Sequence, residues 1–348
     1  MHRCLQLSLN GSRRVNLGGR AAVLWPFGRG PPSVSYCAAM QVLVCGADGF
    51  LGRHIVSGLR AAGHDVVAAV FTREPTPQEV YLDVTRPEQV AALALDVDAV
   101  VNAAGIVDPK GASSTMFSVN AEGARNLARW ARHRRVRHFV QVSSVAVYGP
   151  LVLGESRVER TPRMGLAAGS AYMRSKALAE LWVERSGVPY TMLRPPVVMG
   201  AGDSVLSGGF FDALQGGGLP LLPGACGGRR VTLAFAEGLA EVTGRVLERG
   251  PLNGAVHVVD ADVSLRELGE IYAAQLRSPC RFREVRWQTV LNNRNDLGFS
   301  WLAASARFGQ HYSSRRLVQW LGYRSGRSLE LAVQASLSGL QGQGEVLS

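Results

Sequence analysis

Residues 41–52 read QVLVCGADGFLG and set a strand, a glycine turn and a helix start side by side. The apolar, β-branched run 41–45 reads as a buried strand, and from 50 to 62 apolar residues recur at helical spacing. Gly46, Gly49 and Gly52 fall where the two meet. That order leaves few folds open, because it brings a helix N-terminus against the end of a buried strand. The first glycine permits a tight turn, the second lets backbone approach a ligand, and the third lets helix pack on strand. Free N–H groups and the positive end of the helix dipole then face an anion, and a diphosphate suits that geometry. Gly46, Asp48, Gly49, Phe50, Leu51 and Gly52 are the turn residues expected to touch it. In a chain with 40 glycines the spacing alone says little. Its place directly after a strand carries the reading.

Beyond the turn, strands and helices alternate. Strands are expected at 65–71, 80–82, 99–101, 138–142 and 190–194. Helices are expected at 86–95, 114–133 and 170–184, the last capped by Ser170 and stopped by Gly187 and Pro189. Met116, Val119, Gly123, Leu127 and Trp130 mark the buried stripe of the second helix. Asn120 sits near that stripe and needs partners, either backbone groups or a water leading to a reaction site. The alternation implies an α/β fold, a doubly wound parallel sheet with right-handed crossovers. Such sheets bind ligands beyond the carboxyl ends of their strands. Gly46, Asn102, Ser143, Ser144 and Pro195 all fall at those ends, so one crevice can hold them.

From residue 197 the rhythm changes, with glycine-rich stretches between shorter elements (helices at 236–248, 265–276, 317–321 and 329–340, a strand at 255–259). The expected organisation is an extension at 1–39 outside the fold (disordered or non-native), a dinucleotide-binding domain at 40–195, and a smaller substrate lobe at 196–348 interleaved with the core. Residues 1–39 carry Arg, Gly, Ser and Pro but no Asp or Glu. They read as a mitochondrial-type targeting peptide, a weak secretory signal or, as the strand that begins directly after Met40 favours, sequence upstream of a start there.

Charge does not point to nucleic acid. Arg3, Arg13, Arg14, Arg20 and Arg29 supply five of the +11 charges. The next cluster, Arg129, Arg132, Arg134, Arg135 and Arg137, lies where a helix ends and suits its dipole. No apolar run reaches the length of about 18 residues that a membrane span needs. Cys4, Cys37, Cys45, Cys226 and Cys280 are scattered and odd in number, which argues for a reducing compartment. A cytoplasmic location follows, or the mitochondrial matrix if 1–39 is a transit peptide. The expected partner is a small-molecule substrate, with pairing of helical faces into a homodimer compatible with the fold.

The end of the second strand bears on the cofactor. NAD-preferring sites place an acidic residue about 20 positions beyond the glycines, on the ribose hydroxyls. Here Val70, Phe71, Thr72 and Arg73 stand in its place, and Arg73 suits a 2′-phosphate. NADP is therefore the favoured cofactor and NAD the alternative, with Glu74 as the opposing charge.

The chain has two lysines, Lys110 and Lys176, beside 36 arginines. Tyr172 and Lys176 are spaced i, i+4 and project from one helical face. A free phenol titrates near 10, and a neighbouring ammonium favours its ionised form. Tyr172 then exchanges a proton with a carbinol while hydride passes to or from a nicotinamide, and Lys176 binds the nicotinamide ribose. Ser144, or failing it Ser143, hydrogen-bonds the substrate oxygen. The competing reading, a surface Tyr and Lys on an ordinary helix, leaves unexplained why they follow a glycine turn and a serine-ended strand.

These residues resemble the extended short-chain dehydrogenase/reductases, the NAD(P)-dependent epimerase/dehydratase group. The matching pieces are GADGFLG (46–52), LDV (82–84), NAAG (102–105), NAEGARNLARWA (120–131), VSSVAVYG (142–149), YMRSK (172–176) and LRPPVVMG (193–200). SSRRLVQWLGY (313–323) is similar to the family's closing motif. The resemblance implies catalytic roles for Ser144, Tyr172 and Lys176, with Asn120 beside them. It implies cofactor contacts from Asp83 and Val84, from Ala103, Ala104 and Gly105, and from Tyr172, Lys176, Pro195 and Val198. Segment 82–131 is also similar to dTDP-4-dehydrorhamnose reductases.

Departures narrow the activity. Val145 and Ala146 replace the Asp-Glu pair of the family's dehydratases. Pro196 stands where many epimerases carry an Asn that holds the sugar nucleotide. Segment 229–237 matches their diphosphate-binding stretch loosely, with Arg230 as its candidate. The expected activity is an oxidoreductase or epimerase acting on a carbonyl or hydroxyl group, first of a sugar nucleotide. The alternatives are a reductase of a hydrophobic ketone, or a silent dinucleotide-binding regulator.

Overall fold

The computed structural model describes residues 13–16, 21–24, 39–107, 112–149, 157–168, 170–225, 227–292 and 297–344. Lys110, Cys4, Cys37 and Cys226 lie outside them. Seven parallel strands form the central sheet: β1 (Gln41–Cys45), β2 (Asp65–Val70), β3 (Glu79–Tyr81), β4 (Ala99–Asn102), β5 (His138–Val142), β6 (Tyr190–Arg194) and β7 (Gly254–His257). Their spatial order is β7-β6-β5-β4-β1-β2-β3. The order reverses beside β1, the switch point at which doubly wound sheets open a crevice.

The strands are apolar on both faces because helices cover both. Val42, Leu43, Val44 and Cys45 are fully buried. Cys45 behaves as a small hydrophobe, its thiol pushed up to about 12 by burial. On one face lie α1 (Phe50–Ala61) and a later helix, Ala236–Arg249, with Leu317, Leu321 and Tyr323. On the other lie α2 (Pro87–Ala91), α3 (Gly123–His133) and α4 (Ala171–Ser186). The seventh strand and the helix before it thus join the main sheet although they follow residue 196.

Three local differences from expectation have physical causes. Helix α2 stops at Ala91 rather than near 95, because the carbonyls of Leu93 and Leu95 accept from the Trp130 indole and the Arg134 guanidinium. The helix expected at 114–133 is interrupted. Ser113–Met116 is α-helical, Phe117–Glu122 forms a π-helical turn, and α3 follows. Met116, Gly123, Leu127 and Trp130 are buried as expected, while Val119, within the widened turn, is half-buried. Ser170 occupies the N-cap of α4, but its side chain makes no capping bond.

The remaining residues build a smaller unit. Strand Arg230–Phe235 runs parallel to Val197–Met199 and antiparallel to Ala261–Ser264. Its odd-numbered residues Val231, Leu233 and Phe235 enter a core with Phe210, Leu268, Tyr272 and Leu302. Within 1–39, Arg13–Asn16 and Ala21–Leu24 pair antiparallel as a hairpin that joins neither of these sheets.

Candidate active site

The glycine turn connects β1 to α1 beside Ala103 and Ala104. Parallel register brings Cys45 level with Ala69 on one side and Asn102 on the other, so three strands end together. Gly46 has φ +75°, and a Cβ there would lie 2.7 Å from the Ala104 backbone. A Cβ on Gly52 would lie 1.9 Å from the Gly46 carbonyl oxygen, so this glycine lets helix meet strand. Gly49 differs from both. A Cβ there would meet only the Gly46 carbonyl, at 3.3 Å, and otherwise face open space. Gly49 is the N-cap of α1 and supplies no side-chain cap, and the first turn holds no acidic residue. Helix geometry leaves the N–H groups of Phe50, Leu51 and Gly52 without intrahelical partners. These residues fit a dinucleotide's diphosphate, with a cradle that a single methyl at Gly49 would fill. Within the turn, Leu51 packs on the core and Phe50 meets His54 edge to face.

Asp48 is engaged inside the protein. Its Oδ2 accepts from the Phe71 N–H (3.0 Å), the Thr72 N–H (2.6 Å) and the Thr72 hydroxyl (2.6 Å). Burial pushes its carboxyl up, but the bonds from Thr72 and Phe71 hold it below the ordinary value. Those bonds also explain why β2 ends at Val70. Arg73 is likewise paired, donating to both oxygens of Glu79 at 2.7 and 2.6 Å and to the Glu74 carbonyl. Through that pair Glu79 is lowered to about 2. Asp83 accepts from the Thr85 N–H and hydroxyl and faces Arg86, closing a turn before α2. Val84 is buried, and a Cβ on Gly123 would lie 2.6 Å from it.

Beyond β4, Ala103 donates to the Cys45 carbonyl and Ala104 to the Asn102 side chain, which Gln141 holds from β5. A Cβ on Gly105 would sit 3.0 Å from Lys176 Nζ and 3.2 Å from Asn120 Oδ1, so this glycine admits both side chains. Asn120 is buried. Its amide accepts from the Ile106 N–H and donates to the Ile106 carbonyl and to Ser175 Oγ. Of the two partner sets expected for it, these are the backbone set, with Ser175 added. The π-helical turn that carries Asn120 brings that amide within reach of both.

Tyr172, Lys176 and Ser144 converge. Lys176 is buried, donates to the Val142 carbonyl at 3.2 Å, and lies 6.0 Å from the centre of the Tyr172 ring. Burial lowers its ammonium to about 8, against the opposing charge of Glu180. Burial raises the Tyr172 phenol, and a hydrogen bond with Ser144 draws it back in part. In the free chain burial is the larger influence on the phenol. Ser144 caps the 3-10 turn Val145–Tyr148, its Oγ accepting from the Ala146 N–H. The Ser143 hydroxyl is engaged elsewhere, donating to buried Glu180 at 2.6 Å.

Pro195 accepts from the Val145 N–H at the end of β6, whereas Val198 pairs with Ala234 in the smaller sheet. Arg230 does not stand free for a diphosphate: it pairs with Asp262, Nε to Oδ1 at 3.0 Å. Glu180 and Arg194 escaped the sequence reading. The signal was present, since Tyr172, Lys176 and Glu180 form an i, i+4, i+8 series.

Comparison with known proteins agrees with this fold. The model of the NAD dependent epimerase/dehydratase family matches residues 42–258. A 3-beta-hydroxysteroid dehydrogenase of Mycolicibacterium neoaurum is 29% identical over 206 residues, 53% of this chain and 55% of that enzyme. The chain thus spans about half the length of that relative. The human 3 beta-hydroxysteroid dehydrogenase type 7 is 29% identical over 279 residues, 72% of this chain and 75% of that protein. Among solved structures, Bordetella bronchiseptica WbmH in complex with NAD+ superposes with a TM-score of 0.70 at 22% identity, covering 87% of this chain and 99% of that one. RMD from Pseudomonas aeruginosa complexed with NADPH gives 0.66 at 20% identity, covering 88% and 100%. Among the described residues no helix is long and apolar enough to cross a membrane, and no group of His, Cys, Asp and Glu could hold a metal ion.

Proposed function

The chain belongs to the NAD-dependent epimerase/dehydratase family, and on that premise we propose that it interconverts a secondary alcohol and a ketone on an apolar substrate. The observation that carries this reading is the convergence of Ser144, Tyr172 and Lys176 beyond β5, beside a glycine turn open to a diphosphate. A bound nicotinamide supplies or accepts hydride at the carbinol carbon.

The chain's own residues do the rest. The N–H groups at the start of α1 hold the diphosphate, and Lys176 faces the nicotinamide ribose. Tyr172 holds the proton at the substrate oxygen, and the Ser144 hydroxyl donates to that oxygen as charge develops on it. Because burial keeps the Tyr172 phenol protonated, the free chain presents an acid, the form that ketone reduction uses.

Two observations favour an apolar substrate over a sugar nucleotide. Arg230, the diphosphate candidate, is paired with Asp262. The sequence relatives reported above are steroid dehydrogenases. The test is to screen steroid and long-chain ketones beside sugar nucleotides, with NADPH and NADH, following the reduced nicotinamide absorbance. Turnover of an apolar ketone that is lost in Tyr172→Phe supports the proposal. Turnover confined to sugar nucleotides would refute its substrate half.

A further inference from the structure

Glu180 is buried under the site and binds two strand ends at once. Its Oε1 accepts from the Ser143 hydroxyl (2.6 Å) and Arg194 Nε (2.8 Å), and its Oε2 from Arg194 Nη2 (2.6 Å) and Arg163 (3.2 Å). Ser143 follows the last residue of β5, and Arg194 ends β6. Between them the Ser143 N–H donates to the Leu193 carbonyl at 2.8 Å. That N–H belongs to the same peptide unit as the Val142 carbonyl, which receives Lys176 Nζ. The carboxylate that holds Ser143 and Arg194 therefore also fixes the direction of the carbonyl anchoring the lysine.

The far side of the network ends on an imidazole, with the Glu159 carboxylate accepting from the His257 backbone N–H at 3.0 Å and the Arg157 guanidinium over the Tyr148 ring. Arg194 donates to the Tyr148 hydroxyl (2.9 Å), which meets His257 Nε2 at 2.6 Å, and His257 Nδ1 faces the Ser313 carbonyl at 3.1 Å. A carbonyl can only accept, so Nδ1 carries the proton and Nε2 accepts from Tyr148.

We propose that Glu180 is the positioning residue for Lys176: it locks the β5–β6 rung that aims the Val142 carbonyl at the ammonium. The proposal rests on the reading of Lys176 as the ribose contact. Around Lys176 the other facing groups are Tyr172 on its own helix, the neutral Asn120 amide and Ser175. Around Glu180 they are Arg163, Arg194, Ser143, the Tyr148 and Tyr190 phenols and, one turn on, Glu184, which takes the other side of Arg163. Among these charged groups Glu180 alone perturbs Lys176 alongside burial.

The test needs neither cofactor nor substrate. With two lysines in the chain, Lys110→Arg leaves Lys176 as the one side chain reported by 13C-lysine labelling. Its titration midpoint is expected near 8 in the parent and lower in Glu180→Gln by about one pH unit, a tenfold change in the proton equilibrium. An unmoved midpoint in folded Glu180→Gln overturns the proposal. Removing one partner of a buried pair is strongly destabilising, whereas replacing both is often tolerated. Should the single variant not fold, Glu180→Gln is read in an Arg194→Gln background against Arg194→Gln alone: a lower midpoint in the double variant supports the proposal and an equal one overturns it. The readout is free of turnover, so its failure is distinct from failure of the proposed activity.

Discussion

Asp48 and Thr72 face each other across the mouth of the glycine turn, the carboxylate accepting from both the backbone N–H and the hydroxyl of the threonine at 2.6 Å. The contact ties the loop after β1 to the end of β2, which is where the adenosine end of a dinucleotide lies in folds of this order. Asp48→Ala is expected to release the loop and weaken NADP+ binding about tenfold, a change of about 1.4 kcal/mol. The fold should persist, and calorimetric titration of the variant checks both points.

The three glycines separate by what a methyl group would strike. Gly52→Ala forces a Cβ to 1.9 Å from a carbonyl oxygen. It should lower the melting temperature sharply. Gly49→Ala meets nothing closer than 3.3 Å. It should keep the melting temperature and lose dinucleotide binding. Thermal melts with and without NADP+ distinguish the two outcomes, and equal loss of stability in both would contradict the assignment of Gly49 to the ligand.

Arg73, the proposed 2′-phosphate contact, is held by Glu79. Arg73→Ala is expected to weaken NADP+ while leaving NAD+ little changed. Glu79→Gln frees the guanidinium and should tighten NADP+ binding. Parallel titrations with both cofactors check this, and identical effects on the two would remove Arg73 from 2′-phosphate recognition.

Acid sensitivity follows from two buried imidazoles. Burial lowers His257 to about 3 and His138 to about 4 from an ordinary 6.5. Both are neutral in the fold, and the unfolded chain binds their protons first as pH falls. Their contribution is therefore fully present above about 6.5 and is lost progressively as pH falls through the folded values. The melting temperature should fall between pH 6.5 and 4, and His257→Gln should shallow that slope. A slope unchanged by the substitution would place the acid sensitivity elsewhere.

The sheet and the strand ends at the candidate site were legible because they depend on local pattern. Strands such as 138–142 and 190–194 are short apolar runs, and the glycine turn is contiguous in the chain. The missed features depend on residues far apart in sequence. The π-helical turn at Phe117–Glu122 serves contacts of Asn120 with Ile106 and Ser175, and no periodicity marks it. The early end of α2 is set by Trp130 and Arg134, some 40 residues downstream. What distinguishes Ser143 from Ser144 is Glu180, 37 positions away in sequence, which holds the first of them.

The central claim is that Tyr172 and Ser144 face the reactive ring of a dinucleotide whose diphosphate rests on the start of α1. A crystal structure of the protein grown with NADP+ tests it directly. The account predicts the diphosphate against the N–H groups of Phe50 and Leu51, with the nicotinamide ring beside the Tyr172 hydroxyl and Lys176 at its ribose. A dinucleotide lying elsewhere, or with its nicotinamide turned away from Tyr172, would contradict it.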